Sequence, residues 1–426
     1  MRAQHKRFLP EGVILLVIGV LFAACSSGGG SPVSHRPAAT PSAPAATSSS
    51  SSATCANQAS AKAEAWVANN QVIGSINGGP QTTLSNFVYP LGLPDEGQFG
   101  PDQLSALVWS PDTNHLAVVV TSFQPMQQVF YPYVVDTSTH AVTRVMLPNT
   151  ALLSGPNEWN PWRLLAWADN QTLLIFAAGS SGGSENKVSY SYDLSSGTVS
   201  PLPGVTSAAE GVVRSSTLFY LDLTPPTQIS STNLNMKGVA LLHRYNLSRH
   251  TEVGAPVRLS ETFSARGSEG NIIVPGWDAS PDGTRITYEQ LTVTQSADGS
   301  LMETAPFFAA NADGGAATSI LTGATPQQGI FPSALLVISP NGLLVAVTHA
   351  DAMPDVLSGN LGGGPAHFYT PSVAGPPTWL ANNCNFEADM GNSPGSGIER
   401  FALNAGTGTA QGFMAVPNAS APAVLA

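Results

Sequence analysis

Residues 276–289 read GWDASPDGTRITYE. An aromatic-flanked segment enters the turn Ser280-Pro281-Asp282-Gly283, and the alternating run Arg285-Ile286-Thr287-Tyr288 leaves it. Asp-Gly between two such runs marks a tight turn joining antiparallel strands, because glycine takes up the positive φ that the turn requires. The chain repeats the pattern at 107–120 (LVWSPDTNHLAVVV) and 335–347 (LLVISPNGLLVAV), and more loosely at 165–176 (LAWADNQTLLIF). Trp109 and Trp167 are 58 residues apart, and Ser280 and Ser339 are 59 apart. The 170 residues from Ser110 to Ser280 make close to three such periods, which predicts a degenerate copy near residue 220. Leu218-Phe219-Tyr220-Leu221 stands there, and weaker copies at 66–69 and 379–382 bring the number to seven.

A second hairpin follows each copy in register: YVVDTSTHAVTRVML ending at Leu147, YSYDLSSGTVSPL ending at Leu202 and FFAANADGGAATSIL ending at Leu321. Residues 243–254 (HRYNLSRHTEVG) and 398–414 (IERFALNAGTGTAQGFM) are further copies. Two hairpins per period make a four-stranded unit that cannot bury both of its faces alone, so the units stack on their neighbours. Radial stacking gives an all-β fold, the β-propeller, which leaves only short, protected strand edges.

The repeat resembles that of the TolB-like propellers, roughly aromatic-x-SPDG-x-x-(apolar strand), then apolar strand-Asp-x-x-(Ser/Thr)-Gly, then Leu-Thr. The likeness covers about residues 60–416, with SPDG and SPNG copies, one SPDT and the rest degenerate. It implies the fold and little of the function, since the motif residues serve turns and packing. TolB's additional α/β domain has no counterpart here, so its role in an envelope-spanning complex does not carry over. Seven four-stranded blades are expected. Six remain an alternative if the copy at 66–87, which lacks a first strand, completes the last blade.

Charged residues are only 10% of the chain, with 41 Gly and 34 Pro, the profile of a turn-rich β protein. The formal charge of −11 and the lack of a Lys/Arg cluster argue against nucleic acid as a partner. Residues 1–24 read as a lipoprotein signal peptide. Arg2, Lys6 and Arg7 form its positive end, Val13 to Phe22 its apolar run, and Leu21-Phe22-Ala23-Ala24 precedes Cys25. That run is too short for a comfortable membrane span of ~20 residues. Small residues before a cysteine form a lipobox, so Cys25 is the expected lipid-attachment site, although Phe22 departs from the usual Leu. An ordinary signal peptide is the alternative. Several acyl chains of the palmitate type would make the anchor stable. Residues 25–60 form a Ser/Ala/Pro/Gly-rich linker, which as a flexible coil holds the domain about 30 Å from the membrane. The propeller is expected over 61–416, with 417–426 as a C-terminal tail. The chain is expected to be monomeric, extracytoplasmic and lipid-anchored to the cell membrane.

Of three cysteines, Cys25 belongs to the lipobox, which leaves Cys55 just before the first copy and Cys384 in the last. These become neighbours if the ring closes. A Cys55–Cys384 disulfide would clasp its ends, and two free thiols are the alternative.

Tight turns between first and second strands, and between third and fourth, lie on one face of such a ring. The other face carries the longer loops at 121–132, 148–163, 180–187, 224–238, 351–366 and 387–397, where binding is expected. In NEWNPWR, Glu158, Trp159, Trp162 and Arg163 set two aromatic rings beside a charge pair, suited to a sugar or a partner surface. The competing reading packs both tryptophans between blades. Gly391-Asn392-Ser393-Pro394-Gly395 matches G-x-S-x-G, but a nucleophile elbow needs a strand-to-helix turn within an α/β sheet, and the 31 residues that follow Gly395 are too few for an appended hydrolase domain. His349, Asp351 and Asp355 lack zinc-site spacing, and residues 361–365 (LGGGP) lack the Lys-Ser/Thr of a phosphate loop. No catalytic residue, metal or cofactor is therefore assigned. The expected function is that of a binding or scaffold module for a protein or glycan. The alternative is a propeller-type enzyme acting on carbohydrate or peptide, which two carboxyls ~5–9.5 Å apart at the channel mouth would favour.

Overall fold

The computed structural model describes residues 61–88, 91, 93, 102–124, 127–148, 163–177, 188–205, 208–223, 227–228, 236–264, 275–295, 301–304, 306–322, 334–339, 344–349, 356–363, 367–369, 378–379, 385–389, 397–404, 409–417 and 419–425. Every regular element among these is a strand, apart from a single 3₁₀ assignment at Arg163.

The described strands form antiparallel sheets of four or more, together with one separate two-stranded hairpin. The second sheet is Gln103–Trp109, His115–Gln124, Gln127–Asp136 and Val142–Arg144, and the third is Leu165–Trp167, Thr172–Ala177, Val188–Asp193 and Thr198–Pro201. In the fourth, Ala208–Arg214 and Thr217–Leu223 lead to the long strand Met236–Asn246, which also pairs Thr227–Gln228, Thr251–Glu252 and Val257–Ser264. The fifth is Trp277–Ala279, Arg285–Glu289, Phe307–Asn311 and Thr318–Ile320, with a separate hairpin, Thr292–Gln295 and Leu301–Thr304, inserted in its middle connection. The sixth is Ala334–Ile338, Leu344–His349, Val356–Asn360 and His367–Tyr369, and the seventh is Thr378–Trp379, Asn385–Asp389, Gly397–Asn404 and Thr409–Pro417.

The first sheet is assembled from both ends of the chain. Ala63–Ala68, Gln71–Ile76 and Thr82–Asn86 are completed by Ala419–Leu425, which pairs Ala63–Ala68 from Ala63↔Leu425 to Ala68↔Ala419. Residues 417–426, expected as a tail, thus supply the strand that the first copy lacks, and the folded region runs to 425 rather than 416. The segment ASAPAVL has no repeat motif, so nothing local to it announces a strand. Ala423 packs in one cluster with Ala63, Ala65 and Trp109.

The first strand of each sheet lies against the first strand of the next, from Gln103–Trp109 around to Ala419–Leu425 and back to Gln103–Trp109. The sheets therefore close on themselves in a ring. The fold is a β-propeller.

Burial explains why the units need one another. One apolar cluster joins Ala63, Ala65 and Val72 of the first sheet to Leu116, Val118 and Val135 of the second. Others join the second to the third through Ala117, Val119, Leu173 and Ile175, and the third to the fourth through Phe176, Leu218 and Tyr220. The fourth and fifth share Phe219, Leu221, Trp277 and Ile286, and the fifth and sixth share Ile320 and Leu336. Each fully buried Leu, Ile or Phe contributes ~1.5–3 kcal/mol that an isolated sheet would forfeit. Tryptophans fasten the joints, each reaching back onto the preceding sheet. Trp109 Nε1 donates to the Ala423 carbonyl at 3.4 Å and Trp167 Nε1 to the Val108 carbonyl at 2.9 Å. Trp66 and Trp277 donate instead to carboxylates, Glu387 and Glu210.

The repeated turns are built as their sequence implies. Ser280 accepts from the Arg285 amide at 2.9 Å through Oγ, and Asp282 Oδ1 accepts from the Thr284 amide at 3.0 Å. Gly283 has a φ of 72°. In the SPDT copy Thr113 occupies the corresponding place at 67°, a strained conformation for a β-branched residue.

Candidate functional site

Antiparallel alternation puts the turns at 110–115, 136–142, 280–285 and 311–318 on one face of the ring, and the connections between second and third strands on the other. That second face is built up. Residues 121–132, expected as a loop, are instead a continuation of the second sheet, paired Thr121↔Phe130, Ser122↔Val129, Phe123↔Gln128 and Gln124↔Gln127. The β-branched run Val118-Val119-Val120-Thr121 carries the strand onward, and only two residues are left between the paired Gln124 and Gln127. In the fourth sheet Met236 and Lys237 pair with Thr227–Gln228 on one side and with Ser264 and Phe263 on the other. The inserted hairpin of the fifth sheet adds a third extension.

Arg163 is the described member of the NEWNPWR group; Glu158, Trp159 and Trp162 lie outside the described residues, as do Cys25, Cys55, Cys384, the Gly391–Gly395 stretch, Asp351 and Asp355. Arg163 enters the third sheet but is bonded elsewhere. Its Nη2 donates to the Leu336 carbonyl of the sixth sheet at 2.8 Å and lies 3.5 Å from Asp278 Oδ1 of the fifth, and its guanidinium sits 4.6 Å from the Trp277 ring centroid. A side chain from the third sheet that reaches the fifth and sixth passes the fourth by way of the middle of the ring.

Asp278 gathers the other contacts there. Its Oδ1 is 3.1 Å from Arg214 Nη2 of the fourth sheet, and its Oδ2 accepts from the Ile338 amide at 2.7 Å. Arg214 Nε also donates to the Ala279 carbonyl at 2.8 Å. Among the described residues the first strands have one edge that no strand covers, and these side chains supply partners along it. Glu210 is close by, buried, and bonded by Trp277 Nε1. Burial pushes its carboxyl above the ordinary range, with the neighbouring charge of Arg163 and the indole bond acting in the opposite sense. Two acids and two arginines thus form a network whose bonds reach four consecutive sheets. Desolvation makes such a group costly to leave unpaired, so every member depends on the others.

A second network joins the ends of the ring. Glu387 is fully buried and takes Arg400 Nε at 3.0 Å, while Arg400 Nη2 lies 3.3 Å from Glu64. Of the residues in the two networks, the sequence points to Arg163, as a ligand contact, and passes over Asp278, Glu210, Arg214, Glu387, Arg400 and Glu64. The available signal was an acidic or basic side chain inside an apolar strand, as in GWDAS, in a chain with 10% charged residues. Among the described residues no three His, Cys, Asp or Glu side chains converge as metal ligands.

No family model matches the chain, and no curated protein matches it. Among solved structures it is similar to TolB from Acinetobacter baumannii, at 16% identity and a TM-score of 0.38, covering 71% of this chain and 62% of that one. It is also similar to the β-propeller domain of the Trilobed protease from Pyrococcus furiosus, at 7% identity and a TM-score of 0.42, covering 74% and 82%. A third is the periplasmic gluconolactonase of Pseudomonas aeruginosa, at 14% and 0.44, covering 85% and 99%. The chain thus spans less than two thirds of the TolB chain.

Proposed function

We infer that the protein is an extracytoplasmic, lipid-anchored propeller of seven blades that binds a protein or glycan ligand on its built-up face without transforming it. The observation that carries this reading is the asymmetry of the two faces. One has tight turns, and the other has three paired extensions standing on a rigid ring, the arrangement in which binding surfaces are usually carried. Glu158, Trp159 and Trp162 belong by chain order to that face, in the connection from the second sheet to the third, and are the residues assigned to contact. Arg163 then holds the end of that connection. Cys25 carries the anchor, and Cys55–Cys384 joins the ends of the ring. The acids in the middle of the ring, Glu210 and Asp278, are bonded by Trp277, Arg163, Arg214 and the Ile338 amide, a pattern suited to support.

The test is a glycan array probed with the mature chain, with the bound and released sugars analysed by mass spectrometry. The expected result is a bound glycan lost on Trp159→Ala or Trp162→Ala with the melting temperature unchanged. Retention by both variants overturns the assignment of the face. Cleaved sugar in the wash would establish the enzyme alternative in its place.

A further inference from the structure

The joint between the first and seventh sheets differs chemically from the others. In the middle of the ring two acids face two arginines; here Arg400 faces both Glu387 and Glu64. The Glu387 side chain is 0% exposed, while those of Arg400 and Glu64 are 19% and 20% exposed. The second oxygen of Glu387 accepts from Trp66 Nε1 at 3.2 Å. With both acids ionised the joint carries one uncompensated negative charge, shared between the fully buried Glu387 and the partly buried Glu64.

The surrounding strands offer no further cation. Ala63–Ala68 holds no other charged residue, and Gln71–Ile76, Thr378–Trp379, Thr409–Pro417 and Ala419–Leu425 hold none. Lys62, just ahead of Ala63, is bonded to the Pro111 carbonyl. On the facing strands Asn385–Asp389 and Gly397–Asn404, the other charged residues are the acids Asp389 and Glu399, so Arg400 is the one cation these strands hold. Burial, then the charge of Glu387, hold the Glu64 carboxyl above its ordinary range, and Arg400 offsets this only in part.

We propose that this joint is a proton-operated clasp: the closed ring holds a proton on Glu64 that the opened ring releases, so acidification tightens the junction that Ala419–Leu425 completes. The sign follows from linkage. A carboxyl that binds its proton more tightly in the closed state adds stability as pH falls toward its ordinary value of 4.5 and withdraws it as pH rises through the elevated value. Each unit of elevation shifts the closed-to-open ratio about tenfold. This regulation is separate from the ligand face and stands whether or not that face binds a glycan.

Hydrogen exchange followed by mass spectrometry on the full chain, corrected for intrinsic rates, tests it between pH 5 and 8. Peptides covering Ala63–Ala68 and Ala419–Leu425 should gain several-fold protection at the acid end, while Thr172–Ala177 of the third sheet stays constant. Glu64→Gln should hold the acid level of protection at every pH. A wild-type joint whose protection ignores pH, a dependence shared equally by the third sheet, or an unchanged dependence in Glu64→Gln overturns the proposal. If Glu64→Gln does not fold, the wild-type comparison of the two regions decides alone.

Discussion

Removing Asp278 should loosen the ring at four sheets together. Asp278→Ala deletes an acceptor held 2.7 Å from the Ile338 amide, 3.1 Å from Arg214 and 3.5 Å from Arg163. Taking one partner out of a buried ion pair costs about 3–5 kcal/mol, because the charge left behind stays desolvated. The orphaned Ile338 amide alone is worth ~1–3 kcal/mol, but it shares the same relaxation and does not add in full. The expected total is therefore about 3–5 kcal/mol. At roughly 2 °C per kcal/mol for a large domain, calorimetry should record a fall of about 6–10 °C. Replacing Arg163 and Arg214 by Met and Glu210 by Gln in the Asp278→Leu background should recover part of that loss, since apolar or neutral side chains of similar volume leave no buried charge unpaired. A drop of less than ~1 kcal/mol, or no coupling between Asp278 and Arg163 in a double-mutant cycle, would refute the network as a tie across the ring.

Two further outcomes follow from the turns. Thr113→Gly should stabilise the protein by ~0.5–1 kcal/mol in urea denaturation, since relief of ~1–2 kcal/mol of left-handed strain outweighs glycine's ~0.5–1 kcal/mol entropy cost; a loss of stability would show that the Thr113 side chain contributes more than its strain. The Asp136 carboxyl is held down to about 2 from 3.8, chiefly by the Ser138 hydroxyl and the Thr139 amide. Its contribution is complete above pH ~4 and disappears as pH falls through about 2, so Asp136→Asn should flatten the acid limb of a stability–pH profile there, and an unchanged limb would count against the turn geometry.

Much of the ring was legible because a tight turn is a local device. Ser280, Asp282 and Gly283 satisfy one another within five residues, so their order in the chain announces the turn wherever it recurs, and the 58–59 residue spacing announces the unit. Even the degenerate copy at Leu218–Leu221 is a strand, paired with Ala208–Arg214 as the period requires. The long-loop expectation erred at 121–132 because the polar residues around the tip, Gln124, Gln127 and Gln128, interrupt the apolar pattern in sequence, while strand pairing runs through them and Val129, Phe130 and Tyr131 stay in the core.

What the sequence by itself determined was the class of fold, the repeat and the two kinds of turn, all set by neighbours close along the chain. Tertiary structure alone decided that Ala419–Leu425 completes the first sheet, that Arg163 crosses the ring to Asp278 and Leu336, and that Arg400 faces two acids at the joint. Those partners lie between 13 and 362 positions apart, from Glu387–Arg400 to Ala63–Leu425. Their pairing depends on which sheet edges meet when the ring closes. No periodicity records that, because a buried charge looks the same in sequence whichever partner the closed ring brings to it.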